Sequence, residues 1–194
     1  MSDNEFTILL IENDKELTAL LEKLLPWELR PRKVATIVKH HVAEATEVLQ
    51  TRFLDLRGLI VDIMLPRNEE ELGTLEDLEK SRREMLGELK ECRTQTGTEA
   101  EERIRGFRLE IDELDAQIER AQDLEGGVNL LAAVLNERHE EFITIPTVFF
   151  TARALPHLRA RAEKLVKPGV FTWIQKPAPA SAIVGALLRG WEGR

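Results

Sequence analysis

The chain has 194 residues, of which 35 are acidic and 27 are basic, so its formal net charge at neutral pH is −8. The charge is concentrated in the segment 67–125, which has 19 acidic and 10 basic residues, and the chain lacks the clustered Lys and Arg of a nucleic-acid surface. An acidic start, no stretch long enough to span a membrane and the lone Cys92 predict a cytoplasmic protein without a secretory signal or an intrachain disulfide.

Five short apolar segments predict buried β-strands, because they are rich in β-branched and aromatic residues and are bounded by polar residues, Pro or Gly. The predicted strands are 7–11, 34–38, 58–61, 147–150 and 171–174. Leu and Val recur at helical spacing between them, and the segments 155–166 and 180–191 predict the last two helices. Alternating strands and helices predict a parallel sheet with right-handed connections and helices on both faces.

Polar side chains follow four of these strands. Glu12, Asn13 and Asp14 follow the first strand and Asp62 follows the third, whereas Thr151 and the Lys176-Pro177 pair follow the last two. Parallel strands end at one edge of the sheet, and ligands of such sheets bind outside that edge. The sequence therefore predicts a site for phosphate chemistry there, with Asp14 also predicted to cap the helix that starts at Lys15.

The segment between the third and fourth strands departs from this alternation. Apolar residues recur there every three or four positions, first from Leu72 to Cys92 and then from Ala100 to Ala121, with Arg82 as the one exception. Positions that face each other in two antiparallel helices keep a nearly constant sum of residue numbers, and these two series do so. We therefore predict an antiparallel coiled-coil hairpin over 68–125 that turns at Thr96-Gly97 and is inserted into a domain formed by 1–67 and 126–194. Gly126-Gly127 is predicted to be a loop that closes this hairpin.

This hairpin, called the arm below, has two interpretations. It is either a solvated spacer or a surface for association. Two helices alone are only marginally stable, which favours association with a second arm or with a partner helix. The residues predicted to form the interaction surface are Leu78, Arg82, Met85, Ile111 and Leu114.

Outside the arm, the chain resembles the receiver domain of two-component response regulators over 6–67 and 126–191. The resemblance is based on the motifs ILLIEND at 8–14, DIMLP at 62–66, GGVNLL at 126–131, PTVFFTAR at 146–153 and KP at 176–177. It implies a doubly wound, flavodoxin-like α/β fold with five parallel strands in the order 2-1-3-4-5.

The resemblance also implies a role for each residue of the site. Asp62 would accept a phosphoryl group from a sensor histidine kinase or a phosphotransfer protein, while Thr151 and Lys176 would bind the transferred group. Mg²⁺ would bind to Glu12, Asn13, Asp62 and the carbonyl of Met64. Trp173 would either act with Thr151 as a conformational switch or simply pack on the sheet, and the peptide before Pro177 would be cis.

Asn13 departs from the family pattern, which has an aspartate there as a direct metal ligand. An amide oxygen can coordinate a metal but carries no charge, so we expect weaker Mg²⁺ binding. Two function classes follow. The chain is either a phosphorylation-controlled switch that signals to a downstream protein, or a pseudo-receiver that binds partners without phosphorylation. In neither class is it an enzyme beyond self-phosphorylation and slow hydrolysis.

Overall fold

A computed structural model of the chain describes residues 6–152 and 156–192. Its centre is a five-stranded parallel sheet with the strand order β2-β1-β3-β4-β5, as predicted. The strands are β1 (Phe6–Ile11), β2 (Val34–Lys39), β3 (Leu56–Val61), β4 (Thr147–Thr151) and β5 (Phe171–Gln175). Each observed strand is one or two residues longer than its predicted segment: β1 and β3 begin earlier, whereas β2, β4 and β5 each end one residue later.

Seven α-helices lie within the described ranges. They are α1 (Lys15–Glu28), α2 (Val42–Arg52), α3 (Glu69–Cys92), α4 (Thr98–Arg120), α5 (Gly126–Arg138), α6 (Pro156–Leu165) and α7 (Ala180–Glu192). A short 3₁₀ turn, Phe53–Asp55, connects α2 to β3. None of the described helices is long and apolar enough to cross a membrane.

The sheet is covered on both faces, as the alternation of elements predicts. On one face, Leu21 of α1 and Leu187 of α7 are buried in a cluster with Ile8 and Ile60 of the sheet. On the other face, α2, α5 and α6 bury apolar side chains against Leu9, Leu59 and Phe149 of the sheet, among them Ala45, Leu49, Leu131 and Leu158. Burial on two faces explains why the strand sequences are almost continuously apolar.

Helices α3 and α4 form the predicted hairpin between β3 and β4. The turn falls at Gly97, whose φ of +120° is a conformation that glycine adopts readily. Near the turn, the thiol of Cys92 contacts the carbonyl oxygen of Ala100, which agrees with the predicted antiparallel register. With 24 residues in α3 and 23 in α4, the arm has a length of about 35 Å.

The two ends of the arm meet at its base. The N–H of Leu65 donates to the carbonyl of Asp123 at 3.3 Å, and the N–H of Asp123 donates to the carbonyl of Leu65 at 3.1 Å. This antiparallel bridge closes the arm where the chain leaves and re-enters the sheet domain.

Gly126 and Gly127 were predicted to be a loop that closes the arm, but they are the first residues of α5. The prediction was wrong because a Gly-Gly pair usually indicates a turn, whereas here it allows a helix to begin against a strand end. Arg153 and Leu155, at the end of the fourth motif and the start of the predicted helix 155–166, lie outside the described residues.

Candidate phosphoacceptor site

The first part of the site is the loop that follows β1, called the acid loop below (12–14). Glu12 is only 2% exposed, and its Oε1 accepts a hydrogen bond from the N–H of Asp14 at 3.1 Å. The Oδ1 of Asp14 in turn accepts from the N–H groups of Glu16 and Leu17 at 2.9 and 3.0 Å. Asp14 is therefore the N-cap of α1, as predicted.

The second part is Asp62, which follows β3 and is 6% exposed. Its Oδ1 accepts hydrogen bonds from the N–H groups of Ile63 at 2.6 Å and Met64 at 3.3 Å. Its Oδ2 lies 2.7 Å from the Nζ of Lys176. The two carboxylate oxygens thus have different partners, so only Oδ2 faces a side-chain cation.

Lys176, at the end of β5, joins the two acidic residues. Its Nζ donates to Oδ2 of Asp62 and also to Oε2 of Glu12, and it lies 5.3 Å from the centre of the Phe150 ring. Its backbone N–H donates to the carbonyl of Thr151 at 2.8 Å, which places the ends of β4 and β5 side by side. The Lys176-Pro177 peptide is cis, as expected.

Burial and the neighbouring charges shift the pKa values of Glu12 and Lys176. The pKa of Glu12 is raised from 4.5 to about 8, first because the carboxyl group is buried and second because Asp62 lies beside it; Lys176 opposes the shift without cancelling it. Burial alone would lower the pKa of Lys176, but the carboxylates of Asp62 and Glu12 outweigh burial and raise it above 10.5. Lys176 is therefore charged at neutral pH, and Glu12 is protonated in a large fraction of molecules.

Gly127 fits against Asp62 in a way that no other residue could. A Cβ atom at this position would lie 2.1 Å from the carbonyl oxygen of Asp62 and 2.9 Å from a methyl carbon of Val61. The N–H of Gly127 also donates to the carbonyl of Ile63 at 3.0 Å. The start of α5 therefore packs directly on the backbone that carries Asp62, and only glycine allows this approach.

The remaining predicted site residues differ in their surroundings. Thr151 is fully buried at the end of β4. Trp173 is half-buried, and its ring is stacked on that of Phe149 with the centroids 6.0 Å apart. This contact agrees with the packing interpretation of Trp173, and its use as a switch stays a prediction.

The residues present partly fit a divalent cation. Among the described residues there is no group of three or more His, Cys, Asp or Glu side chains placed to hold a metal. However, the buried carboxylates of Glu12 and Asp62 both face one positive charge, the Lys176 ammonium, and hard oxygen donors of this kind suit Mg²⁺. Asn13 is half-buried beside them and lines a groove of about 420 Å³ between α1 and α3.

The predicted interaction surface of the arm is only partly enclosed. Ile111 is buried, but Leu78, Arg82, Met85 and Leu114 are half-buried. The register predicts that Arg82 faces Ile111, whereas Arg82 forms an ion pair with Asp115 instead, because its long side chain reaches one turn along α4. With Glu79, Arg83 and Ile118, this pair lines a cavity of about 270 Å³ in the middle of the seam.

Three residues contribute to the site but were not predicted to do so from the sequence. Nδ1 of His40 lies 2.8 Å from the carbonyl oxygen of Glu12, and because a carbonyl can only accept, the ring donates this hydrogen bond and supports the acid loop. The other two are Phe150, beneath the Lys176 ammonium, and Gly127. The position of His40 just past the end of the second strand was the one available signal for its role.

Comparison with known proteins gives a fold but no sequence relationship. No model of a known protein family matches the chain, and no curated protein matches its sequence. A response regulator receiver domain protein from Clostridium thermocellum superposes with a TM-score of 0.55 at 9% identity, covering 96% of this chain and 94% of that chain.

Two proteins from Burkholderia pseudomallei are also similar in structure. One is a response regulator with a phosphorylated aspartic acid, a calcium ion and citrate (TM-score 0.51, 14% identity, 96% of this chain and 69% of that chain). The other is a putative pilus assembly-related protein (TM-score 0.50, 11% identity, 100% of this chain and 94% of that chain). With its strand order and its helices on both faces, the chain has the fold of a response regulator receiver domain.

Proposed function

We propose that the chain is a signalling receiver that accepts a phosphoryl group on Asp62 and acts through protein contacts. The observation that carries this proposal is the contact between Asp62 Oδ2 and the Lys176 ammonium at the carboxyl edge of the sheet. A sensor histidine kinase or a phosphotransfer protein is the proposed donor.

The two oxygens of Asp62 have separate tasks in this reaction. Oδ1 is held by the N–H groups of Ile63 and Met64, so the carboxylate has a fixed orientation. Oδ2 attacks the phosphorus atom of the donor, and the bond from phosphorus to the leaving atom breaks, with its electron pair going to the leaving group. The Lys176 ammonium neutralises negative charge on the phosphoryl oxygens.

The proposed metal site consists of Glu12, Asp62, the side-chain oxygen of Asn13 and the carbonyl of Met64. Mg²⁺ bound there would supply positive charge to the transferred phosphoryl group. Because Asn13 has no charge and Glu12 is readily protonated, these residues attract a cation less strongly than three ionised carboxylates would. Thr151 is the proposed hydrogen-bond donor to a phosphoryl oxygen, and Trp173 the proposed reporter of its movement.

Labelling by a small phosphodonor tests the proposal. Incubation with acetyl phosphate and Mg²⁺ should add one phosphoryl group, detected by intact mass, and change the tryptophan fluorescence. Asp62→Asn should abolish both effects, whereas Asp55→Asn, which removes an exposed carboxylate before β3, should leave labelling unchanged. Trp173→Phe should remove the fluorescence change without removing the added mass.

The second candidate is a pseudo-receiver that binds partners without phosphorylation. Two observations favour it, the uncharged Asn13 and the bridging of both carboxylates by Lys176, which already neutralises the site. An unlabelled chain at millimolar Mg²⁺ would support this candidate.

The arm is proposed to be a separate insertion, 68–125, in a receiver domain made of 1–67 and 126–194. Its half-buried middle leaves apolar side chains such as Met85 and Leu114 in partial contact with water. A second arm or a helix of a downstream protein would bury them. We therefore assign association to the arm in both candidate functions.

A further inference from the structure

The acid loop continues directly into contacts with the arm. The carboxylate of Glu12 accepts from the Lys176 ammonium and from the backbone N–H of Asp14. The next two residues, Lys15 and Glu16, contact α3. The Nζ of Lys15 lies 2.5 Å from Oε1 of Glu76, and Oε1 of Glu16 lies 4.0 Å from a guanidinium nitrogen of Arg83. Five consecutive residues, 12–16, thus connect the charges of the site to the side of the arm.

The segment after Asp62 makes a second connection. Its N–H groups at Ile63 and Met64 bind the Asp62 carboxylate, and the next residue, Leu65, forms the backbone bridge with Asp123 at the end of the arm. The guanidinium of Arg67 lies 3.7 Å from the carboxylate of Asp123. Any shift of the Asp62 loop therefore acts on the base of the arm within three residues.

A third contact holds the start of the arm against α2. The N–H groups of Val42 and Ala43 donate to the carbonyls of Pro66 and Arg67 at 2.9 and 3.0 Å. Nε2 of the buried His41 lies 3.4 Å from the carboxylate of Glu69, the first residue of α3. The base of the arm is thus attached through backbone hydrogen bonds, whereas two ion pairs, Lys15 with Glu76 and Glu16 with Arg83, connect the side of α3 to α1.

We propose that the arm acts as a lever that transmits the state of the site: phosphorylation of Asp62 changes the angle between the arm and α1. This inference rests on the proposed function, because it takes the phosphoryl group on Asp62 as its input. The signal passes through the contacts of 12–16 and 62–67 with the arm. A receiver fold without the inserted arm would not have these contacts.

The charges give the lever its mechanism. A phosphoryl group on Oδ2 of Asp62 carries negative charge and competes with Glu12 for the Lys176 ammonium. Glu12 then loses a partner, and the acid loop can move with Lys15 and Glu16. The side chains of Lys15 and Glu16 are 59% and 93% exposed, and those of Glu76 and Arg83 are 43% and 66% exposed. Ion pairs as exposed as these contribute little free energy, so a small rearrangement can change them.

The length of the arm amplifies such a change. Over a helix pair of about 35 Å, each 5° of tilt moves the Gly97 turn by about 3 Å. The displacement would be largest at the turn, where it changes the position of the surface that a partner contacts. It would be smallest at the bridge between Leu65 and Asp123.

Distance measurement between two spin labels tests the lever. In a Cys92→Ala background, Glu22→Cys on α1 and Thr96→Cys at the turn place labels at exposed positions. We expect acetyl phosphate with Mg²⁺ to shift the mean label distance by about 3 Å or more. The same substitutions with Asp62→Asn should show no shift, and Lys15→Ala with Arg83→Ala should give a broad distribution that no longer responds.

Intact mass of the same samples separates the two hypotheses. A phosphorylated chain with an unchanged distance would overturn the lever and leave the proposed receiver function standing. A chain that gains no mass and shows no shift would overturn both. A shift that survives Asp62→Asn would also overturn the lever, because it would then be an effect of the ions in solution.

Discussion

The carboxylate of Asp62 and the ammonium of Lys176 lie 2.7 Å apart although 114 residues separate them in the chain. They meet because β3 and β5 are parallel and end at the same edge of the sheet. Glu12, at the end of β1, shares the same ammonium. One lysine thus balances two buried acids, and removing any of the three should affect the other two.

Lys176→Met should destabilise the chain. The substitution leaves the two buried acids, Asp62 and Glu12, beside each other without a cation, and breaking a buried ion pair costs about 3 to 5 kcal/mol. Urea unfolding at pH 8 measures the effect. The double variant Lys176→Met with Glu12→Gln should recover part of the loss, because only one acid then remains unpaired. A cost below about 1 kcal/mol would mean that the pair behaves like one exposed to solvent.

Gly127→Ala should be more harmful than alanine at another helical glycine. Its Cβ would lie 2.1 Å from the Asp62 carbonyl, and such overpacking typically costs about 1 to 3 kcal/mol. Gly106→Ala is the matched control, since a Cβ there meets nothing within 4 Å and should stabilise α4 by about 0.5 to 1 kcal/mol. Denaturant midpoints of the two variants should therefore move in opposite directions, and equal midpoints would contradict the assigned contact.

Glu12 should make the free energy of unfolding fall as pH rises. Its pKa is about 8 in the folded chain against an ordinary value of 4.5, so between these values the folded chain holds a proton that the unfolded chain releases. Each pH unit in this window should lower the Glu12 contribution by up to about 1.4 kcal/mol. Glu12→Gln should show a flatter profile from pH 5 to about 8, and parallel profiles would rule out a shifted Glu12.

Asn13→Asp should tighten Mg²⁺ binding. A carboxylate adds one negative charge beside Glu12 and Asp62, and an effect of about 1 to 3 kcal/mol corresponds to roughly ten- to a hundredfold in affinity. Calorimetric titration with MgCl₂ measures the change, and Asn68→Asp, at the N-cap of α3, controls for added charge alone. Equal affinity for Asn13→Asp and the unmodified chain would show that another group already occupies this ligand position.

Deleting the arm should leave the sheet domain folded. The bridge between Leu65 and Asp123 shows that the two ends of the arm lie close together in the full chain. A short Gly-containing loop in place of 69–124 therefore has only a short gap to span, although the bridge itself is lost. Light scattering should find the full chain associated and the deleted chain monomeric. The arm, 68–125, has 19 acidic and 9 basic residues, so a dimer of arms should strengthen as salt screens their repulsion. A full chain that stays monomeric even at about 0.5 M salt would exclude the dimer and leave a different partner.

The sheet and the placement of the site could be predicted from the sequence for a simple physical reason. The carboxyl ends of parallel strands lie at one edge of the sheet, so the sequence alone predicts that Glu12, Asp62, Thr151 and Lys176 lie together there. The arm was predictable because heptad spacing is periodic and its two halves share one register.

The details that escaped prediction depend on side-chain reach and close backbone approach. The choice of Asp115 over Ile111 as the neighbour of Arg82 depends on how far a guanidinium extends along a helix. Gly127 was misassigned because the same dipeptide serves a turn and a tight helix start. The hydrogen bond from His40 to the Glu12 carbonyl crosses between two loops, and no local pattern records such a contact.

The bridge between Leu65 and Asp123 also allows the length of the arm to change while its attachment stays the same. Because both chain ends are fixed at one point, residues added to α3 and α4 in equal numbers near the turn leave the connection of the arm to the sheet domain unchanged. Seven residues added to each helix preserve the seam and carry the turn about 10 Å further out. The distance from the turn of the arm to the carboxyl edge of the sheet is therefore set by the number of heptads, independently of the residues at that edge.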